Sequence, residues 1–251
     1  MDGGFVFQSR LPDAALAEVV ESFWLLRTPA GAPQQAVVLP DGRVDVLFAC
    51  AATEPFHATL LGLGTEAARV TLAPATVMGA ISFKLPAVEY VLRTCVADVL
   101  NHARPLPPGF WGLTLADLTD FDRFCAQAAR AIRAAWQTPL DPRKRRLFAQ
   151  LYATQGSATV RALADEAAWS SRQINRYFQE KFGLSLKAYG RVLRFRASFA
   201  HLKAGRLFPA LNYADQAHFI REVRQLAGVR PKELAANEND RFIQFSTLPE
   251  K

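Results

Sequence analysis

The chain has 251 residues, a net charge of +7, half of its residues apolar and 21% charged, which is a globular composition with room for two ordinary domains. No apolar run approaches the ~20 residues of a membrane span, and Met1-Asp2-Gly3-Gly4-Phe5 lacks a secretory leader's basic start and apolar stretch, so a cytoplasmic protein without membrane association is expected. The charge is uneven: residues 1–142 carry 10 Lys+Arg against 14 Asp+Glu, a balance of −4, and residues 143–251 carry 20 against 9, a balance of +11. A basic half of this kind is the electrostatic footprint of a nucleic-acid binder, although a solubilising positive surface has the same sign.

Taken in chain order, the first hundred residues read mostly as strands. Val19–Leu26 is β-branched and aromatic, Ala36–Leu39 is apolar, and Arg43–Phe48 alternates before turning wholly apolar. Pro40-Asp41-Gly42 separates the last two as a turn, which predicts a hairpin. His57–Leu63 and Thr76–Leu85 read as further strands, so the half is expected to be a small barrel or sandwich. Pro105-Leu106-Pro107-Pro108-Gly109 is a stiff connection. From Asp120 to Trp136, apolar residues recur every three or four positions on one face of a helix. Pro139 and Pro142 interrupt the chain, which places a domain boundary in Thr138–Arg143. The resulting division is a β-rich domain over 1–138, a helical domain over 143–236 and a tail over 237–251. Arg143-Lys144-Arg145-Arg146 opens the basic half, as a solvated helix face or as phosphate contacts.

The helical half has clear punctuation. Thr159 is an N-cap for a short helix whose apolar face is Val160, Leu163, Ala164 and Ala167. Ser170 caps a second helix with Ile174, Tyr177 and Phe178 inward and Gly183 at its end. Helix, tight turn and helix is the helix-turn-helix pattern, whose second helix enters the major groove. Its outward residues, Ser171, Arg172, Gln173, Asn175, Arg176 and Gln179, are of types that pair with base edges, and Ser170 and Ser171 suit phosphate. A polar solvent face would look the same. A long helix over Leu186–Leu202 follows, carrying Lys187, Arg191, Arg194 and Arg196 as phosphate contacts or solvated charges.

The block Asn212-Tyr213-Ala214-Asp215-Gln216-Ala217-His218-Phe219-Ile220-Arg221-Glu222, with Ala227-Gly228-Val229-Arg230-Pro231, resembles the signature of the arabinose-regulator (AraC/XylS) family over residues 150–236. The resemblance implies an all-α tandem helix-turn-helix joined by a long helix, binding double-stranded promoter DNA. Carried over by position, it puts Arg172, Asn175 and Arg176 of the first unit and Gln216, Ala217, His218 and Arg221 of the second at the bases. One departure stands out. Arg206–Asn212 replaces a full scaffold helix, and Pro209 disfavours helix there, leaving Phe208 and Leu211 to hold the second unit.

Val38–Phe48, Met78–Phe83 and Phe110-Trp111-Gly112 more loosely resemble the sensory domains that precede such modules. That implies an α+β chain with a cupin-like barrel and flanking helices, taking a small-molecule effector or forming a homodimer. No enzyme constellation is evident. His57 and His102 lack ligand spacing, and Asp41 with Asp45 suits a turn and a strand edge. Cys50, Cys95 and Cys125 read as reduced structural thiols, none in an activating context of the kind a DNA-alkylation repair protein needs. A regulator without cofactor, metal or catalytic residue is therefore expected. A ligand-binding or enzymatic barrel with a vestigial helical module is the alternative.

Overall fold

The computed structural model describes residues 5–208 and 213–248. The chain is α+β, and it divides into two compact units. The first comprises the residues up to Gln35, Arg43–Gly62 and Thr71–Leu140. The second comprises Ala36–Gly42, Leu63–Val70 and everything from Asp141 onward.

The sheet unit holds a six-stranded antiparallel sheet in the order β1 (Val6–Arg10), β2 (Val20–Arg27), β7 (Val77–Phe83), β4 (Val44–Ala51), β5 (Glu54–Leu61), β8 (Ala103–Pro105). The expected strands are present, with β1 and β8 added at the two edges. Val46, Phe48, Ala58 and Leu60 are buried with the alternation expected of β4 and β5, whereas β7 is buried on both faces from Gly79 to Phe83. A short helix, α1 (Pro86–Tyr90), follows β7. Helix α2 (Phe121–Ala135) is capped by Asp120, which accepts from the Arg123 amide, and buries Phe124, Cys125, Ala128 and Ile132. Burying Phe124 and Ile132 stabilises the unit by roughly 1.5–3 kcal/mol each. Phe124 reaches the sheet because β7 has glycine at position 79, where a Cβ would meet the Leu118 side chain at 2.6 Å and the Phe124 ring at 3.0 Å. Cys125 is buried and its thiol is pushed up to about 11 by burial, whereas Cys50 and Cys95 are only half-buried.

The expected hairpin around Pro40-Asp41-Gly42 does not form. β3 (Gln34–Val38) pairs with β6 (Ala68–Leu72) in a separate two-stranded sheet, while β4 lies between β7 and β5. The turn tripeptide is a true chain reversal, with Gly42 at φ +76°, but it leads out of the helical unit instead of joining neighbouring strands.

The helical unit runs through α3 (Pro142–Ala153), α4 (Val160–Glu166), α5 (Ser171–Phe182), α6 (Leu186–Lys203), α7 (Gln216–Ala227), α8 (Pro231–Ala236) and α9 (Ile243–Ser246). It has two cores. The first gathers Phe148, Phe178 and Phe182 with Tyr152, Tyr177 and Tyr189, ring centroids 5.1–6.5 Å apart. The second gathers Val192, Phe195, Phe199 and Leu202 of α6 with Phe219, Val223 and Leu226 of α7. Phe242 and Phe245 of the tail are buried in it, with Phe245 5.1 Å from Phe199. Helix α6 thus serves both cores with one long apolar surface. Among the described residues no helix is long and apolar enough to cross a membrane.

Candidate nucleic-acid interface

Helices α4 and α5 are placed by local chemistry. Thr159 caps α4 by accepting from the Ala162 amide. The turn Ala167–Trp169 closes on α4 through the Ala168 and Trp169 amides, which donate to the carbonyls of Asp165 and Ala164, with Ala168 in the left-handed region at φ +50°. Ser170 then opens α5 with a reciprocal capping box, its hydroxyl accepting from the Gln173 amide and the Gln173 side chain accepting from the Ser170 amide. Gly183 ends α5 at φ +79°.

Ile174, Phe178 and Phe182 of α5 are buried, so the opposite face is presented outward. Ser170, Ser171, Arg172, Arg176 and Gln179 are exposed. Arg172 makes no ion pair among the described residues, and Arg176 lies 3.8 Å from Glu180 with both side chains largely in solvent, a pairing of little energetic consequence. Asn175 is half-buried, and its amide donates to the Ser171 carbonyl. The Gln179 amide donates to the Gly183 carbonyl. The two arginines therefore have the least engaged polar side chains among these outward residues.

The basic run at the start of α3 braces this face. Arg143 pairs with Asp141 at 2.9 Å and lies 5.8 Å over the Trp169 ring. Lys144 lies 4.8 Å over Tyr177, and Arg146 donates to the Glu166 carbonyl at the end of α4. The hydrogen bonds of Asp141 to Arg143 hold its carboxyl down to about 2.

The second face is built differently. Asp215 caps α7 by accepting from the His218 amide, and Gln216 and Ala217 are exposed on its first turn, with Arg221 exposed one turn on. His218 is half-buried, with its side chain 30% exposed. Its Nδ1 accepts from the Ala214 amide and its Nε2 lies 3.2 Å from Glu222 Oε1, so the proton sits on Nε2 and both ring nitrogens are occupied. Glu222 is itself buried and also receives Arg194 at 3.4 Å. Arg194 donates to the Gly156 carbonyl as well and is only 18% exposed, which makes it a tie between α6, α7 and the turn after α3. Glycines permit that tie: a Cβ on Gly156 would lie 2.2 Å from the Gly190 carbonyl oxygen. Burial, reinforced by Glu222, pushes the nearby Tyr213 phenol far above its ordinary range.

Between the start of α6 and α7 lies a cleft of about 410 Å³, bordered by Lys187, Arg191, Arg194, His218, Arg221 and Glu222. Arg191 donates to Gln225, while Lys187 and Arg221 make no ion pair among the described residues. The cleft has four cationic side chains and one carboxylate, a field that attracts phosphate. The structure thus gathers Lys187, Arg191, Arg194, His218 and Arg221 at one cleft, and Arg172 and Arg176 on the α5 face. It leaves Asn175, Gln179, His218 and the two terminal nitrogens of Arg194 engaged within the unit. Glu222 escaped sequence reasoning; its one available signal was an acidic residue four positions after His218 on the inward face of α7. Of the second unit's two expected supports, Phe208 is exposed outside any helix and Leu211 lies outside the described residues, as does the helix-disfavouring Pro209.

A domain of unknown function (DUF6597) matches residues 8–105, and no curated protein matches the chain. Three similar solved structures are of ToxT from Vibrio cholerae. A ligand-free variant is 10% identical with a TM-score of 0.44, covering 85% of this chain and 97% of that one. Wild-type ToxT with an unsaturated fatty acid bound is 10% identical with a TM-score of 0.42, covering 98% of each chain. ToxT bound to (E)-4-(8-methylnaphthalen-1-yl)but-3-enoic acid is 11% identical with a TM-score of 0.45, covering 92% and 98%.

Proposed function

We propose that this chain is a sequence-specific DNA-binding transcription regulator of the AraC/XylS type. The helical unit grips promoter DNA, and the sheet unit, as a cupin-like domain, senses a small effector or forms a homodimer. The observation that carries the reading is the α5 face. A capped helix, set off by a three-residue turn from α4, presents Arg172 and Arg176 one turn apart and outward, in a half of the chain with a balance of +11. Helices α4 and α5 form the first helix-turn-helix, with Ser170 and Ser171 at phosphates and Arg172, Asn175, Arg176 and Gln179 toward base edges. The first turn of α7, with Gln216, Ala217 and Arg221, forms the second reading face. Lys187 and Arg191 contact phosphate, while Arg194 and His218 hold the second face in place. The protein works in the cytoplasm, as an enzyme of no kind.

Titration of the full chain with genomic DNA fragments at rising salt tests this. Affinity should fall linearly on a log–log plot, with a slope of about −0.9 for each phosphate neutralised. Absent or salt-insensitive binding contradicts it. A second reading, a ligand-binding barrel with a vestigial helical module, is favoured by the engagement of both His218 ring nitrogens within the unit. Chromatin immunoprecipitation separates the two: discrete promoter peaks support the regulator, and their absence supports the barrel.

A further inference from the structure

Seven residues of the N-terminal half, Ala36–Gly42, belong to the helical unit. They form a strap whose backbone is held at Val37, Leu39 and Gly42. The Val37 amide donates to the Arg241 carbonyl, and Val37 makes an isolated parallel bridge to Phe242. Both backbone groups of Leu39 are taken by one side chain: the Leu39 amide donates to Gln244 Oε1 at 2.8 Å, and Gln244 Nε2 donates to the Leu39 carbonyl at 3.0 Å. At the strap's end the buried Tyr189 hydroxyl donates to the Gly42 carbonyl at 2.8 Å. The Leu39 side chain is 2% exposed and completes the core that also buries Phe199, Phe219, Val223 and Phe245. Unseating the strap would orphan these backbone groups and open that core together.

The strap's two ends are not free. It continues β3 on one side and runs straight into β4 on the other. Only Arg43 separates Gly42 from β4, and the strap packs in the same core as the inner face of α7.

We propose that the Ala36–Gly42 strap is a coupling element. Its seating sets the placement of α7, so that events in the sheet half that move β3 or β4 alter the affinity of the second DNA-reading face. This rests on the DNA-binding reading for its output, but the mechanical coupling has its own readout.

The test uses the full chain and amide hydrogen exchange. Gln244→Ala removes the clamp on Leu39. Exchange should rise about tenfold or more at Val37 and Leu39 and along α7, with α5 unchanged. Tyr189→Phe keeps the buried ring, removes only the hydroxyl, and should give the same pattern with a smaller rise. DNA affinity should fall about fivefold or more in Gln244→Ala, and by reciprocity DNA should slow exchange at Val37 and Leu39 in the unaltered chain. Faster strap exchange in both variants with α7 unmoved overturns the coupling, as does unchanged DNA affinity with an exposed strap. If the chain binds no DNA at all, the regulator reading fails while the exchange experiment still decides whether strap and α7 move together.

Discussion

The outward faces of α5 and α7 are held in place by different means. On α5 the scaffold is local: two side-chain caps, a left-handed turn and an aromatic core from α3 and α5 fix the helix, and both arginines stay in solvent. On α7 the scaffold is remote. A buried Glu222 holds Arg194 and His218, and the tail helix α9 and the Ala36–Gly42 strap fill the core from distant parts of the chain. A face built locally can keep its polar side chains for a partner. A face built from distant pieces uses some of them to hold itself together.

The largest expected effect would sharpen that contrast. Arg194→Ala leaves Glu222 buried without its cation and should cost about 3–5 kcal/mol of stability, measured by denaturant unfolding. A loss below 1 kcal/mol would show that the Glu222 hub carries no weight. Phe245→Ala should cost about 3–5 kcal/mol by opening the second core, and exchange should rise in α7 before α5. Equal loosening of both helices would erase the distinction between the cores.

Smaller effects concern reading. Arg176→Ala should lose about 1–3 kcal/mol on a cognate site and relax preference at one base position, while leaving the unfolding curve in place. His218→Ala should show the reverse, destabilising the chain more than it changes base preference, because both ring nitrogens are used internally. Ser170→Ala removes the α5 cap and should cost about 1 kcal/mol. The smallest effect is acidic. The carboxyl of Asp141 is held below its unfolded value, so its cap on α3 contributes fully above about pH 4 and is lost as pH falls toward about 2. Asp141→Asn should flatten that part of the pH–stability profile.

Much of the helical half was legible because its signals are local. Thr159, Ser170 and Gly183 punctuate α4 and α5 at the positions read from sequence, and the inward residues Tyr189, Phe195 and Phe199 follow the helical period of α6. The strands β2, β4, β5 and β7 were legible by composition, but their partners were not. Pairing is decided by distant residues, and Pro40-Asp41-Gly42 gives the same turn signal whether it joins two paired strands or releases a strap. The engagement of His218 and of Arg194 was hidden for a related reason. Arg194 meets Glu222 across the packed interface of α6 and α7, which spacing along one helix does not encode, whereas His218 and Glu222 are four apart on α7 itself and their contact needed Glu222 to be recognised as buried.

Selection of binding sites from a randomised DNA library by the full chain tests the central claim most directly. The account predicts an enriched sequence with two elements about one helical turn apart. Arg176→Ala should relax one element and Arg221→Ala the other, with the α5 element the stronger. Recovery of unselected sequence, or of a single element indifferent to Arg176, would contradict it.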